Sequence, residues 1–120
     1  MIYYQDLLTV PYKKAGRNID GMDCYGFLIE CFKREGKILK DLRAIPEGDI
    51  EEYISHINVL ELNEYKKGCG IQFTISGKLH VGYMIDKRTV LHMTDKGVKY
   101  SAIRPGNGRM FEVIDEHNAV

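Results

Sequence analysis

Apolar residues follow two rhythms along this chain, and the change of rhythm divides it in half. Phe27, Leu28, Cys31 and Phe32 recur at the i, i+1, i+4, i+5 spacing of one helical face. Asp23 precedes the run as an N-cap, Lys33 and Arg34 put cations in the last turn, and Gly36 suits the left-handed residue that ends a helix. The pattern predicts a helix whose first residue is Cys24. Ile2 to Leu8 predicts a short helix before it, and Gly16 to Gly21 a loop. After it, Asp49 to Ile57 predicts a second helix, with Asp49 and Glu52 spaced as a capping box.

The second half keeps a different beat. Ile71 to Ser76, Leu79 to Ile85, Thr89 to Thr94, Val98 to Ala102 and Met110 to Ile114 are rich in β-branched or aromatic residues, with turn residues between them. Helices first and strands afterwards make an α+β domain, with N-terminal helices packed on one antiparallel sheet of about five strands. The last strand is expected at a sheet edge, with a fraying polar tail after it. Arg104 to Arg109 reads as a surface turn without chemistry.

Bulk properties narrow the function. One domain over 1–120 accounts for the 120 residues. Seventeen basic residues balance seventeen acidic ones, so nothing favours nucleic acid or an anionic membrane. Three cysteines without a C-x-x-C pair argue for a reduced protein rather than a disulfide framework. Met1 to Arg17 lacks the basic and apolar regions of an export signal, and no run approaches the ~20 apolar residues of a membrane span. The expectation is a soluble protein, cytoplasmic at synthesis.

Chemistry enters with Cys24. A thiol attacks as its thiolate, which a helix N-terminus stabilises through unpaired N–H groups and the macrodipole, so its pKa is expected below the ~8.5 of a free thiol. Cys31, on the apolar row, reads as packing, and Cys69 carries no further signal. A cysteine nucleophile needs a base, itself oriented by a third group. His56 falls within the second predicted helix and His117 in the polar tail, and both read as solvated. His80 and His92 fall on adjacent predicted strands.

Parity tests that pair. With a three-residue loop at Asp86-Lys87-Arg88, Ile85 faces Thr89, Gly82 faces His92, and the two imidazoles share a face as diagonal neighbours. A two-residue loop at Lys87-Arg88 shifts the register by one and separates them. Gly82, lacking a side chain, would let the Cys24 helix approach the sheet. Taken singly, His80 fits a half-exposed strand histidine and His92 a core histidine satisfied by a hydroxyl; with Cys24 they form a constellation. A zinc site on Cys24 and Cys31 fails, since seven helical residues span ~10 Å and thiolates must lie near ~2.3 Å from the ion. No metal or cofactor is expected.

The strings GMDCYGFLIECF, HVGYMID and VLHMTDKGV, in that order, resemble the NlpC-type family of papain-like cysteine peptidases, which cut bacterial cell-wall peptides. Val10-Pro11-Tyr12 is similar to the family's Pro-Tyr element, and the likeness spans Val10 to Ser101. The resemblance implies a papain-like core, Cys24 as nucleophile, His80 as general base and His92 as its orienting residue. It implies that Tyr12, with Asp23 and Tyr25 beside the cysteine, lines the substrate or oxyanion side, that the backbone N–H of Cys24 helps hold the oxyanion, and that the substrate is a peptidoglycan stem peptide. Tyr25 stands where the family commonly has serine, a feature of its phage-tail branch, which makes phage tail proteins candidate partners. Ala15-Gly16 replaces the usual Gly-Gly pair, and Cys69 stands where many relatives have a Gly-Asp turn.

Two other readings stay open: a non-catalytic tail or scaffold protein that keeps the fold, and an acyltransferase on a rearranged version of it. The latter places its histidine strand before the cysteine helix, opposite to the order here.

Overall fold

A computed structural model describes residues 2–41 and 57–114. Its one described α-helix, α1 (Cys24–Arg34), begins and ends where the sequence signals lie. The Asp23 carboxylate accepts the Gly26 N–H at 2.7 Å. At the other end Gly36 adopts φ +80°, the Gly36 N–H reaches the Lys33 carbonyl and the Lys37 N–H reaches that of Phe32. These paired bonds satisfy carbonyls that the helix end leaves open. Phe27, Leu28, Cys31 and Phe32 are each 0% exposed, so the apolar stripe is wholly spent on packing. Ile2 to Leu8 contains only a short 3-10 turn, Gln5–Leu7. The second predicted helix, with Asp49, Glu52 and His56, lies largely outside the described residues, as do His117 and the tail.

Eight strands are described: β1 (Arg17–Asn18), β2 (Gly21–Met22), β3 (Val59–Leu62), β4 (Gly70–Ile75), β5 (Lys78–Asp86), β6 (Thr89–Thr94), β7 (Gly97–Ala102) and β8 (Gly108–Val113). The last six form one antiparallel sheet in the order β3-β8-β4-β5-β6-β7, so the expected five strands become six. The predicted loop from Gly16 to Gly21 is the turn of the strand pair β1-β2, with Asn18 opposite Gly21 and Arg17 opposite Met22. The final strand is not at the edge: β8 lies between β4 and β3. Its alternation misleads because β3, whose middle residues Leu60 and Glu61 are exposed, covers it from a distant part of the chain.

The sheet separates two apolar clusters. Val81, Tyr83, Leu91, Met93, Phe111 and Val113 face α1, and Cys69, Ile71, Phe73, Met84, Val90 and Met110 form the other face. Phe32 meets Tyr83 edge-on at 6.0 Å between ring centroids and Phe111 at 6.3 Å. Fully burying each such ring contributes about 1.5–3 kcal/mol, enough to fix the helix against the strands.

Candidate active site

Cys24 reaches this site by being the first residue of α1. It is half-buried, and the backbone amides of Val81, Tyr25 and Cys24 itself favour its thiolate. The Val81 N–H is available for a reason visible in the ladders. The Met84 N–H bonds the Cys69 carbonyl, towards β4, so alternation turns the Tyr83 and Val81 amides the other way, towards β6. The β5-β6 pairing runs from Asp86↔Thr89 to Tyr83↔Leu91 and goes no further, which leaves the Val81 amide outside that ladder and able to favour the Cys24 thiolate. Val81 follows His80 and belongs to the apolar cluster against which Cys24 packs.

The histidines do share a face, by a route the loop argument did not contain. Asp86 pairs with Thr89 across a two-residue turn, and an irregularity between Met84 and Asp86 absorbs Ile85 as an extra residue. Such a bulge resets the register. Tyr83↔Leu91 is therefore the pairing that a three-residue loop would produce, and the demand for an odd loop is corrected to an even loop plus a bulge. The His80 and His92 ring centroids lie 6.3 Å apart at 80°, and both pack on Phe73, at 6.1 and 5.3 Å. Gly82 makes room, but not for the helix: a Cβ there would lie 2.4 Å from Val90 Cγ2 and 3.0 Å from His92 Cβ.

Electrostatics hold the groups neutral. Burial pushes the Cys24 thiol up and the Asp23 carboxylate adds to this, against the downward pull of the Val81, Tyr25 and Cys24 amides. The expectation of a thiol below the ordinary range is thereby corrected: desolvation outweighs the helix end. Burial and Lys78 lower His80, with Asp95 opposing. Burial, then His80 and Lys99, lower His92 to about 4. Cys31 and Cys69 are buried and pushed up by desolvation, consistent with packing roles.

His92 is 1% exposed, and its Nε2 lies 2.8 Å from Ser101 Oγ. Ser101 was not singled out in the sequence, although a hydroxyl partner for His92 was expected and Ser101 faces Val90, two residues before it, on β7. The Nδ1 atoms of His80 and His92 are buried and have no hydrogen-bond partner among the described residues. Tyr12 is 41% exposed and lies in a parallel bridge with Met22, two residues before the cysteine. Tyr25 is 3% exposed and donates its hydroxyl to the Lys40 carbonyl, leaving little of it for a substrate to meet. Asp23 is engaged by the Gly26 N–H and by Arg17, which makes it part of the turn's frame. A groove of about 990 Å³ lined by Phe73, Ser101 and Arg104 touches the histidine side of the sheet, but its lining does not include Cys24.

Residues 9–112 match the NlpC/P60 family. The chain belongs to that family. Its fold also aligns with the crystal structure of the NlpC/p60 domain of peptidoglycan hydrolase SagA, with a TM-score of 0.60 and 17% identity over 92% of this chain and 92% of that one. The curated proteins contain no match. For an NlpC/P60 domain, α1 packed on an antiparallel sheet is the papain-like arrangement that the sequence led one to expect.

Proposed function

We propose that this NlpC/P60 protein is a cysteine peptidase that hydrolyses stem peptides of bacterial peptidoglycan. The observation that carries the reading is Cys24 at the N-terminus of α1, packed on the cluster that contains Val81, the residue directly after His80. In this reading the thiol proton goes to His80, whose Nδ1 is buried and has no hydrogen-bond partner among the described residues.

In this mechanism the thiol and imidazole rest neutral. Cys24 gives its proton to His80 as its sulfur attacks the scissile carbonyl, forming a C–S bond and an oxyanion. The Cys24 backbone N–H, on the first turn and outside the helix ladder, is available to that oxyanion. His80 passes the proton to the leaving amine as the C–N bond breaks. Water, deprotonated by His80, then attacks the thioester carbonyl, the C–S bond breaks to release the new peptide carboxylate, and the proton held by His80 returns to the Cys24 sulfur. His92, held by Ser101, orients His80. Tyr12 forms part of the rim.

Tyr25 in place of the family's usual serine supports the phage-tail branch, with tail proteins as partners, synthesis in the cytoplasm and delivery to the wall. A second reading, a non-catalytic tail component with the same fold, draws on the raised Cys24 thiol. Digestion of purified peptidoglycan fragments by the wild type and by Cys24→Ala, read by mass spectrometry, decides between them. New peptide products from the wild type alone support the peptidase and identify the bond; identical silence from both overturns it.

A further inference from the structure

Arg17 occupies a position that the catalytic reading does not use. Its side chain is 12% exposed, although arginine is almost never buried unless paired. Nη1 donates to Asp23 Oδ1 at 2.7 Å and to the Gly16 carbonyl at 2.8 Å. Nε reaches the Asp41 carboxylate at 3.1 Å, and the guanidinium carbon lies 5.8 Å from the centre of the Tyr25 ring. One side chain thus joins the β1-β2 hairpin, the residue that caps α1, the residue after the cysteine, and the segment that follows the helix.

Asp23 explains why this matters for the thiol. Its Oδ1 accepts both Arg17 and the Gly26 N–H, so its negative charge is fixed one residue from Cys24. We propose that Arg17 is a positioning residue for Cys24, clamping the Asp23 cap and neutralising its carboxylate so that the thiol can ionise. A planar guanidinium suits this task, because a lysine ammonium cannot present a fork of donors to three acceptors. The charged groups acting on the thiol are Asp23 on its own turn and Arg17, acting through Asp23 from β1; His80 precedes Val81 on β5, the strand against which α1 packs. Tyr12 and Lys13 run alongside Met22 at the margin. The upward push of Asp23 on the Cys24 thiol agrees with the geometry.

The inference concerns the same thiol as the peptidase reading, but its test needs no substrate. Iodoacetamide labelling of Cys24 is followed across pH by peptide mass spectrometry, with buried Cys31 and Cys69 as internal reporters of folding. Arg17→Gln is expected to move the Cys24 midpoint up by about one pH unit, slowing labelling about tenfold below the midpoint. Arg17→Lys, which keeps the charge, should move it less than half as far, and Arg17→Gln with Asp23→Asn should bring it back. A Gln profile that superimposes on the wild type, with Cys31 and Cys69 still protected, overturns the proposal. So does a Lys variant shifted as far as Gln. If Arg17→Gln opens the core and labels all three thiols, Asp23→Asn alone is decisive: its midpoint must fall, and an unchanged one overturns the proposal. Absence of peptide cleavage with the expected shifts would remove the peptidase reading and leave this one standing.

Discussion

Replacing Gly26 with alanine sets two physical effects against each other. Inside a helix, alanine is favoured over glycine by about 1 kcal/mol, so propensity alone predicts a more stable protein. The structure predicts the reverse. A Cβ at Gly26 would lie 2.3 Å from the Gly16 carbonyl oxygen, 3.1 Å from Arg17 Nη1 and 3.2 Å from Asp23 Oδ1. The nearest obstacle is backbone, which cannot rotate aside as the end of a long side chain would. Overpacking of this kind costs about 1–3 kcal/mol. Moving Gly16 also strains its bond from Arg17, and hydrogen bonds to charged groups are worth about 1.5–3 kcal/mol. With the bond strained rather than lost, its contribution is at most part of that range, and offsetting the helix gain leaves a net loss of about 1–4 kcal/mol, a fall in Tm of several to about 15 °C for a domain of this size. Thermal unfolding followed by circular dichroism provides the assay. A Tm equal to or above that of the wild type would refute the close approach of the 13–22 segment to α1.

Three further outcomes follow from buried polar groups. His92 is lowered to about 4 in the fold against about 6.5 unfolded, so between these values the unfolded chain binds the extra proton. Stability is therefore full above pH 6.5 and falls as pH drops towards 4, by about 3 kcal/mol in total. Urea unfolding of the wild type and His92→Gln across that window should show a steep slope in the wild type and a shallower one in the variant, where the lowered His80 remains. Tyr83→Phe removes the hydroxyl that bonds Glu35 Oε1 at 2.5 Å and leaves both carboxylate oxygens unpartnered; urea unfolding should register a loss of about 1–3 kcal/mol. Since burial and Lys78 lower His80, the acidic limb of kcat/KM on a stem peptide should lie below pH 6.5, and Lys78→Glu should raise it. An unmoved limb would remove His80 as the titrating base.

Much of this site is legible in the sequence because its signals are local. Asp23, Lys33, Arg34 and Gly36 bound α1 through chemistry confined to one or two turns, and β4 to β7 are separated by tight turns such as Ser76-Gly77, where both residues have positive φ. What escaped depends on partners distant in sequence or on competition between effects. Val59 to Leu62 is a strand because β8 lies beside it, which no local pattern announces. The bulge at Ile85 has no glycine or asparagine to mark it. Arg17 looks like an ordinary loop cation until Asp23, Asp41 and Tyr25 converge on it. The thiol's direction turned on burial, which the helix-end argument does not contain.

The placement of β8 between β3 and β4 also fixes an order of assembly. β5 and β6 can zip as a hairpin as soon as they exist, since their contacts are local, but β4 receives its second neighbour only from the far end of the chain. Phe111 and Val113 complete the core against α1. Non-local pairing of this kind is slow, because a long loop must close before any contact repays it. On a translating ribosome the helix that carries Cys24 emerges before β8 and must wait for it. The sheet that positions the nucleophile is finished only once β8 has joined it.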